Sequence, residues 1–253
     1  TCQVEMKTNP DSEFLKVVKN NVRSYEDVVA YPPNQAYIGN IHPEELDNYS
    51  QPWFKHKIEN ASRYGKYGEI QPQAEFIALM KISDAFDLVK LTKEFTEMVV
   101  EKIKADPIFT EQDLACFKTG EEFEVIDALV KNEHSEPLEH EGKLVGCVKR
   151  AHDVDLNLTS HVMFENLVVK ASGVLAARHL TKNAGISPAE IEYVIECSEE
   201  ACGDMNQRGG GNFAKAIAES CGYVNATGAD MRGFCAGPAH SVIAAAALVK
   251  AGV

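Results

Sequence analysis

The sequence predicts an α/β fold, in which a mixed sheet packs against a buried alanine-rich helix and a mainly helical region comes first. Beyond residue 160, helical and extended patterns alternate in the order helix, strand, helix, strand, helix, which is the order of crossovers around a mixed or parallel sheet. The last helix is apolar on nearly every side, and such a helix is expected to be buried. The first third is instead polar and rich in Tyr, Asn and Pro, so it is hard to place in the same core.

The overall composition indicates a globular protein and excludes some partners. The chain has 253 residues, of which 45% are hydrophobic, and a net charge of −13. Because no basic face can neutralise phosphates, we expect no nucleic-acid partner. The longest uninterrupted apolar run, Val242 to Val249, is shorter than the ~20 residues that a membrane span needs, so we expect no membrane partner.

Cysteine usage favours a reducing compartment. An odd number of cysteines at irregular spacing favours reduced thiols in the cytoplasm over a disulfide framework. The seven cysteines are Cys2, Cys116, Cys147, Cys197, Cys202, Cys221 and Cys235. The sequence begins Thr-Cys-Gln without an initiator methionine, which we interpret as a processed chain or a fragment.

Cap and turn residues divide the first third of the chain. Asp11 or Ser12 is expected to begin a helix. The sequence Pro32-Pro33-Asn34 is expected to break the chain. Pro43 indicates the first turn of a short helix.

Stronger patterns follow in the remainder. Apolar residues at helical spacing from 73 to 104 predict two amphipathic helices, and Glu141-Gly142 between extended segments predicts a β-hairpin. A long amphipathic helix is expected to end at Gly185. The continuous apolar strand from Tyr193 to Cys197 suits a sheet covered on both faces. A glycine-terminated helix and an extended segment then lead to the alanine-rich helix that begins at Cys235.

Cys235 lies where this extended segment gives way to the last helix. The first turn of a helix offers unpaired N–H groups and the positive end of the helix dipole, and both stabilise a thiolate. Flanking glycines let a substrate carbonyl approach the backbone. These features predict a thioester-forming nucleophile, and the alternative is a small buried core residue. The substrate or oxyanion loop would be formed by Gly233, Phe234, Ala236 and Gly237.

A second group of chemically active residues lies between residues 196 and 213. Cys197 and Cys202 occur there among acidic residues, but their spacing is not that of a structural zinc site, so we expect no metal. Gly209-Gly210-Gly211 beside Arg208 either cradles an anion or allows tight entry into the next helix. The run fits neither the dinucleotide nor the P-loop pattern, and we expect no tightly bound cofactor.

The segment from residue 230 to residue 252 resembles the active-site segment of the thiolase-like superfamily, above all its β-ketoacyl-ACP synthase III branch. In that superfamily an Asp, four intervening residues, the nucleophilic Cys and a small residue with Gly lead into an Ala-rich helix that ends in Gly. The residues that match without a gap are Asp230, Cys235, Ala236, Gly237 and Gly252. The resemblance covers about residues 160–253 and implies a thiolase-like layered fold, of which this chain holds the first half.

Longer runs resemble the β-subunit family of component C of the glycine/sarcosine/betaine reductase complex. These runs are SYEDVVAYPPNQAYIGNI, GCVKRAHDVDLNL, MFENLVVKASGVLA and YVIECSEEACGDMNQRGGGNFAKAIAES. This resemblance implies a cytoplasmic bacterial subunit of anaerobic amino-acid fermentation. It would help to move an acetyl group from selenoprotein A to phosphate, the acyl acceptor, through a cysteine thioester. The implied partners are selenoprotein A and the component C α subunit.

The two resemblances together imply a division of the chain. Residues 1–158 would form a family-specific region that docks partners, and residues 159–253 would form the first half of a thiolase-like domain that makes a homodimer. The loop after the first strand of this domain is expected to face the active site or a partner. That expectation gives a role to Glu199, Glu200, Asp204 and Asn206.

The thiolase-like pattern places the groups that activate the cysteine, a His and a further His or Asn, in a second half. The sequence ends just after the nucleophile helix, so we expect this chain alone to be inactive. His240 lies about 140° round the helix from Cys235, and we expect it to point away from the thiol. Two alternatives stay open: a non-catalytic scaffold that docks a phosphate-acyltransferase-like partner, and a condensing enzyme of the ketoacyl-synthase III kind.

Overall fold

The computed structural model describes residue 9, residues 11–198 and residues 212–253. The described residues form two compact units, one that ends at Ile70 and one that begins at Gln71. This division follows contacts within the chain. The boundary predicted at 158/159 is of another kind, because it separates a region specific to the family from one that resembles the thiolase-like superfamily. That boundary stays a prediction.

The first unit is mainly helical, as expected. Ser12 Oγ accepts a hydrogen bond from the Leu15 N–H at 3.2 Å, so Ser12 caps the first helix. Pro32 and Pro33 begin a helix, because the first two helical positions need no N–H donor, and the predicted chain break is wrong. The elements are α1 (Glu13–Asn21), α2 (Tyr25–Val29), α3 (Pro32–Tyr37) and the 3₁₀ helices Pro43–Asn48 and Trp53–Lys55.

The second unit is a mixed α/β structure. Its elements are α4 (Gln73–Ser83), β1 (Val89–Leu91), α5 (Lys93–Lys104), α6 (Glu111–Leu114), α7 (Phe123–Asn132), β2 (Glu136–His140), β3 (Lys143–Val148), α8 (Ser160–Ala184), β4 (Tyr193–Glu196), α9 (Phe213–Ser220), β5 (Thr227–Asp230) and α10 (Gly237–Ala251). Three 3₁₀ helices, Leu156–Leu158, Pro188–Glu190 and Phe234–Ala236, lie between them. The predicted α/β class is confirmed, whereas the thiolase-like layering stays a prediction.

An antiparallel sheet with strand order β1-β3-β2 lies on the N-terminal side of this unit. The predicted hairpin is its β2–β3 pair. Glu141 and Gly142 form the turn with φ of +52° and +74°, the left-handed values that a tight two-residue turn between twisted strands requires. The three-residue strand β1 lies inside the segment that helical spacing suggested, because the spacing of its few apolar residues fits either structure.

A parallel sheet of β4 and β5 carries the C-terminal part. Tyr193 pairs with Thr227 at one end and Glu196 with Asp230 at the other. The helix α8 ends at Gly185, whose φ of +66° provides the left-handed cap that was expected. This order of elements confirms the helix–strand alternation read from the sequence.

Close packing between α8 and α9 joins the two sheets to one core. A Cβ at Gly173 on α8 would lie 2.3 Å from Ile217 Cδ1 on α9, so the helices approach more closely than an alanine would permit. Ala171 and Val174 beside it are fully buried. The helix that precedes the parallel sheet therefore has its position fixed by side chains from α9.

A buried ion pair ties α6, α8 and the end of α9 together. Arg178 Nη1 and Nη2 donate to Asp113 Oδ2 and Oδ1 at 2.7 and 2.9 Å. The same guanidinium donates to the carbonyls of Ile108 and Ser220 at 3.1 and 2.8 Å. Burial raises the pKa of the Asp113 carboxyl, but the hydrogen bonds from Arg178 and the Thr110 backbone outweigh it, and that pKa lies below its ordinary value.

The alanine-rich helix α10 is exposed, contrary to the expectation that it lies at the centre of the fold. Val242, Ile243 and Val249 are 69%, 67% and 74% exposed, and Gly237 is the one buried residue of the helix. One side of α10 contacts β4. Sequence pattern fails here because it reports that a surface is apolar and not which segment covers it.

One segment of the described residues, Phe234–Ala251, could cross a membrane by length and composition. Only 6% of it is buried within this chain. A single segment of this kind is weak evidence for a membrane location, because core helices of globular proteins have the same length and composition.

We predict that Arg178→Met lowers the free energy of unfolding by about 3–5 kcal/mol, because it leaves the Asp113 carboxylate buried without its partner. Urea denaturation of the wild-type and variant chains measures the difference. The contribution of the pair is complete above the ordinary Asp pKa of about 3.9. It is lost as the pH falls through the lower pKa of folded Asp113, so the two chains should converge in acid.

Lys131→Met is the matched control, because Lys131 forms an ion pair with Asp127 at 2.6 Å on the surface. This exposed pair should contribute little to stability. Equal effects of the two substitutions would contradict the role assigned to Arg178.

Candidate functional site

The candidate site lies where the two parallel strands end. Glu196 and Asp230 stand opposite each other as the last residues of β4 and β5. The chain continues from β4 into Cys197, and from β5 into the turn that carries Cys235. Ligands of open α/β sheets bind at the carboxyl ends of parallel strands, so both cysteines are at the functional edge of the sheet.

The Asp230 carboxylate anchors the start of α9. Its Oδ2 accepts from the Phe213 N–H at 3.0 Å, and its Oδ1 accepts from the Ala214 N–H at 2.8 Å. These first-turn N–H groups have no acceptor within the helix, and negative charge is favourable beside them. Asn212 also caps α9 through its side chain. The Asp of the thiolase-like pattern therefore fastens a helix to the end of β5.

Arg232 connects the ends of the two strands. Its Nη1 lies 2.7 Å from Glu196 Oε2, and its Nη2 lies 3.3 Å from Asp230 Oδ2. All three side chains are largely buried. Because two carboxylates neutralise one guanidinium, Arg232 holds the strands together and has no surplus positive charge to offer to phosphate.

A strained turn precedes the cysteine. Phe234 has φ +47°, which is unusual for a bulky residue and costs about 1–3 kcal/mol. The Ala236 N–H donates to the Gly233 carbonyl at 3.0 Å, which closes a single 3₁₀ turn around Cys235. The ring of Phe234 is 80% exposed.

Cys235 itself is exposed, and the expectation that it lies at the bottom of a buried site is wrong for this chain. The reason is the same as for α10: no described residue covers this face. The first turn of α10 has no side-chain cap, and Pro238 lies within it. The positive end of the helix dipole therefore lies beside an accessible thiol.

Two neighbours of this turn were not foreseen from the sequence. A Cβ at Gly237 would lie 2.6 Å from Cys197 Sγ, so the Cys197 thiol packs against the first turn of α10. A Cβ at Gly233 would lie 3.1 Å from His240 Nδ1. The imidazole therefore lies against Gly233, and the expectation that it points away from the Cys235 thiol stays a prediction. A cysteine that directly follows a strand was the available signal for Cys197.

Three other cysteines of the described chain have raised pKa values. Burial raises the pKa of the Cys147 and Cys221 thiols to about 11. Cys116 is exposed, but desolvation and the nearby Asp113 carboxylate raise its pKa as well. A thiol with a raised pKa carries little thiolate at neutral pH.

The other predicted site residues have separate outcomes. Glu199, Glu200, Asp204 and Asn206 lie outside the described residues, as does the run Gly209-Gly210-Gly211. Within the described ranges no three His, Cys, Asp or Glu side chains are grouped so that they could hold a metal ion. Gly233, Phe234, Ala236 and Gly237 lie in the 3₁₀ turn and helix start that flank Cys235, and their role as a substrate or oxyanion loop stays a prediction.

Two surface cavities lie in the second unit. An open groove of about 510 Å³ runs between β4 and α10, lined by apolar side chains that include Ile195, Val242 and Leu248. A larger cavity of about 710 Å³ lies away from the cysteines, between α5 and the β2–β3 hairpin. Neither cavity is lined by Cys235 or Cys197.

Comparison with known proteins identifies the family. No family model and no solved structure matches the chain. Over 256 residues, which cover 100% of this chain, 58% are identical to glycine/sarcosine/betaine reductase complex component C subunit beta from Peptoclostridium acidaminophilum. The chain spans about half the length of that relative, 50%. With this identity along its whole length, the chain belongs to the family of component C β subunits of glycine/sarcosine/betaine reductase complexes.

Proposed function

We propose that this chain forms part of a glycine/sarcosine/betaine reductase complex, in which Cys235 carries an acetyl group as a thioester. One observation carries the proposal: an exposed cysteine at the uncapped first turn of α10, at the carboxyl edge of a parallel sheet. The family of the chain supplies the context. Neither a metal nor a tightly bound cofactor is required for this role.

In the proposed reaction, the Cys235 thiolate attacks the carbonyl carbon of an activated acetyl group. The C–S bond forms, and the former leaving group departs with its electron pair. Backbone N–H groups of the turn, including that of Cys235, stabilise the oxyanion of the tetrahedral intermediate. An oxygen of inorganic phosphate then attacks the thioester carbonyl, so that acetyl phosphate leaves and the thiolate is regenerated.

The partners follow from the same proposal. Selenoprotein A would deliver the acetyl group, and the component C α subunit would bind the phosphate that accepts it. Arg232 is neutralised by two carboxylates, which favours a phosphate site on another subunit. We further propose a cytoplasmic complex in which the thiolase-like domain forms a homodimer.

The exposed apolar face of α10 favours a second function, that of a scaffold. Val242, Ile243 and Val249 face solvent in this chain, and exposed apolar patches are typical of interaction sites. In the scaffold role the chain would dock a phosphate-acyltransferase-like partner, and no acetyl group would reach Cys235. The two functions therefore differ in which subunit becomes acetylated.

We predict that Cys235→Ser lowers acetyl phosphate formation by the reconstituted complex at least about a hundredfold, because a serine hydroxyl is a far weaker nucleophile than a thiolate. Mass spectrometry of the wild-type complex quenched during turnover should find the acetyl group on the peptide that contains Cys235. Cys116→Ser is the control, since Cys116 is also exposed but lies outside the site.

Two results would decide against the proposal. Full activity of Cys235→Ser, with acetyl found on the α subunit alone, would favour the scaffold. Carbon–carbon bond formation from a malonyl thioester would favour a condensing enzyme.

We predict that Phe234→Gly slows alkylation of Cys235 by iodoacetamide about fivefold. Glycine relaxes the strained turn that holds the thiol, and this raises the activation free energy of alkylation by about 1 kcal/mol. Phe234→Ala keeps the positive φ and should keep the wild-type rate. Peptide mapping measures alkylation at Cys235 specifically. Equal rates in both variants would show that the strain at residue 234 does not position the cysteine.

A further inference from the structure

We propose that Cys197 is a positioning residue for Cys235, whose thiol seats the first turn of α10 and so fixes where the reactive sulfur lies. This inference rests on the proposed role of Cys235 as a nucleophile. It assigns a purpose to a cysteine that lies beside the site without being its nucleophile. The contact between Cys197 and Gly237 carries it.

The sheet holds Cys197 in place on one side. Cys197 directly follows β4, and the Met231 N–H donates to the carbonyl of the preceding residue, Glu196, at 2.8 Å. The side chain of Glu196 is in turn paired with Arg232. The half-buried thiol therefore projects from a backbone that is fixed by both a main-chain hydrogen bond and a neighbouring ion pair.

The thiol meets α10 on its other side. A Cβ at Gly237 would lie 2.6 Å from Cys197 Sγ, and the next neighbour, the Met231 carbonyl oxygen, lies at 3.9 Å. Non-bonded carbon atoms prefer about 3.5–4.0 Å, and sulfur is larger than carbon. The sulfur atom thus occupies the space that any side chain at position 237 would need.

The backbone of Gly237 does not itself require glycine. Its φ of −51° and ψ of −46° are ordinary helical values, and alanine is the better helix former at such a position. The contact with Cys197 therefore explains why glycine occupies this position. The large sulfur atom of Cys197 fits against Gly237 because glycine has no side chain there.

The contact between Cys197 and Gly237 acts on Cys235 through two backbone hydrogen bonds of the turn. Gly237 donates its N–H to the Phe234 carbonyl, and Ala236 donates to the Gly233 carbonyl. Cys235 lies inside this single turn. A shift of Gly237 away from the sheet therefore moves the reactive sulfur relative to the helix N-terminus, which changes how strongly the helix dipole favours its thiolate form.

The test is a four-member cycle in the 253-residue chain: wild type, Gly237→Ala, Cys197→Ala and the double variant. The readout is the pH profile of Cys235 alkylation by iodoacetamide, resolved by peptide mapping. We expect Gly237→Ala to slow alkylation about tenfold at neutral pH and to move the midpoint of the profile upward. In the double variant the alanine methyl group fills the place of the sulfur, so the rate should return to within about twofold of wild type.

Controls separate positioning from general damage. Gly68→Ala should change nothing, because a Cβ there meets no atom within 4 Å. Cys197→Ser keeps one heavy atom, although a smaller one, near the position of the sulfur and should stay closer to wild type than Cys197→Ala. Urea denaturation of each variant identifies any that do not fold. If Gly237→Ala does not fold, the pH profiles of Cys197→Ala and Cys197→Ser are compared instead to test whether the sulfur positions Cys235.

Three outcomes overturn the inference: additive effects in the double variant, an unchanged pH profile in Gly237→Ala, or equal profiles in the two Cys197 variants. Because alkylation needs no partner, its result is independent of acetyl transfer. If the double variant restores the pH profile but no acetyl group is found on Cys235 in the complex, the positioning role of Cys197 stands and the proposed function is rejected. Loss of both would reject both.

Discussion

The candidate site depends on the carboxylate of Asp230. Its two oxygens accept the first two N–H groups of α9, and one of them also receives Arg232, which reaches across to Glu196. One side chain thereby connects β5, α9 and β4. The turn that carries Cys235 begins only three residues later. Without this carboxylate, α9 would keep only its Asn212 side-chain cap, and Arg232 would keep only Glu196 as an ion-pair partner.

This anchoring explains how an exposed cysteine can have a defined position. The sheet edge is fixed by charge pairs, the turn by a strained residue at Phe234, and the helix start by the thiol of Cys197. Each constraint comes from a different element, so the geometry does not depend on burial of Cys235. The Cys235 thiol is consequently both accessible from outside the chain and fixed in position.

Turns, helix caps and the order of elements were predictable from the sequence, whereas the exposure of α10 and contacts between distant residues were not. The hairpin at Glu141-Gly142, the cap at Gly185 and the order of the last five elements follow from turn residues and apolar spacing, which act over a few residues. Burial of α10 was predicted and is not found, because composition cannot say whether a covering segment lies in the same chain. Cys197 was weighed as a metal ligand and dismissed on spacing. Its contact with Gly237 joins residues 40 positions apart, and no local pattern reports that.

The alanine content of α10 has a consequence for the order of assembly. Most helices of this length rely on tertiary packing for stability, because isolated helices of fewer than about 12–15 residues are marginal in water. The 15-residue α10 has a run of alanines, the strongest helix formers, and a left-handed cap at Gly252. These features lower the free-energy cost of forming α10, so this helix relies on fewer tertiary contacts than most. In this chain α10 is already formed although most of its side chains are exposed, so covering its apolar surface would require no further folding of the helix.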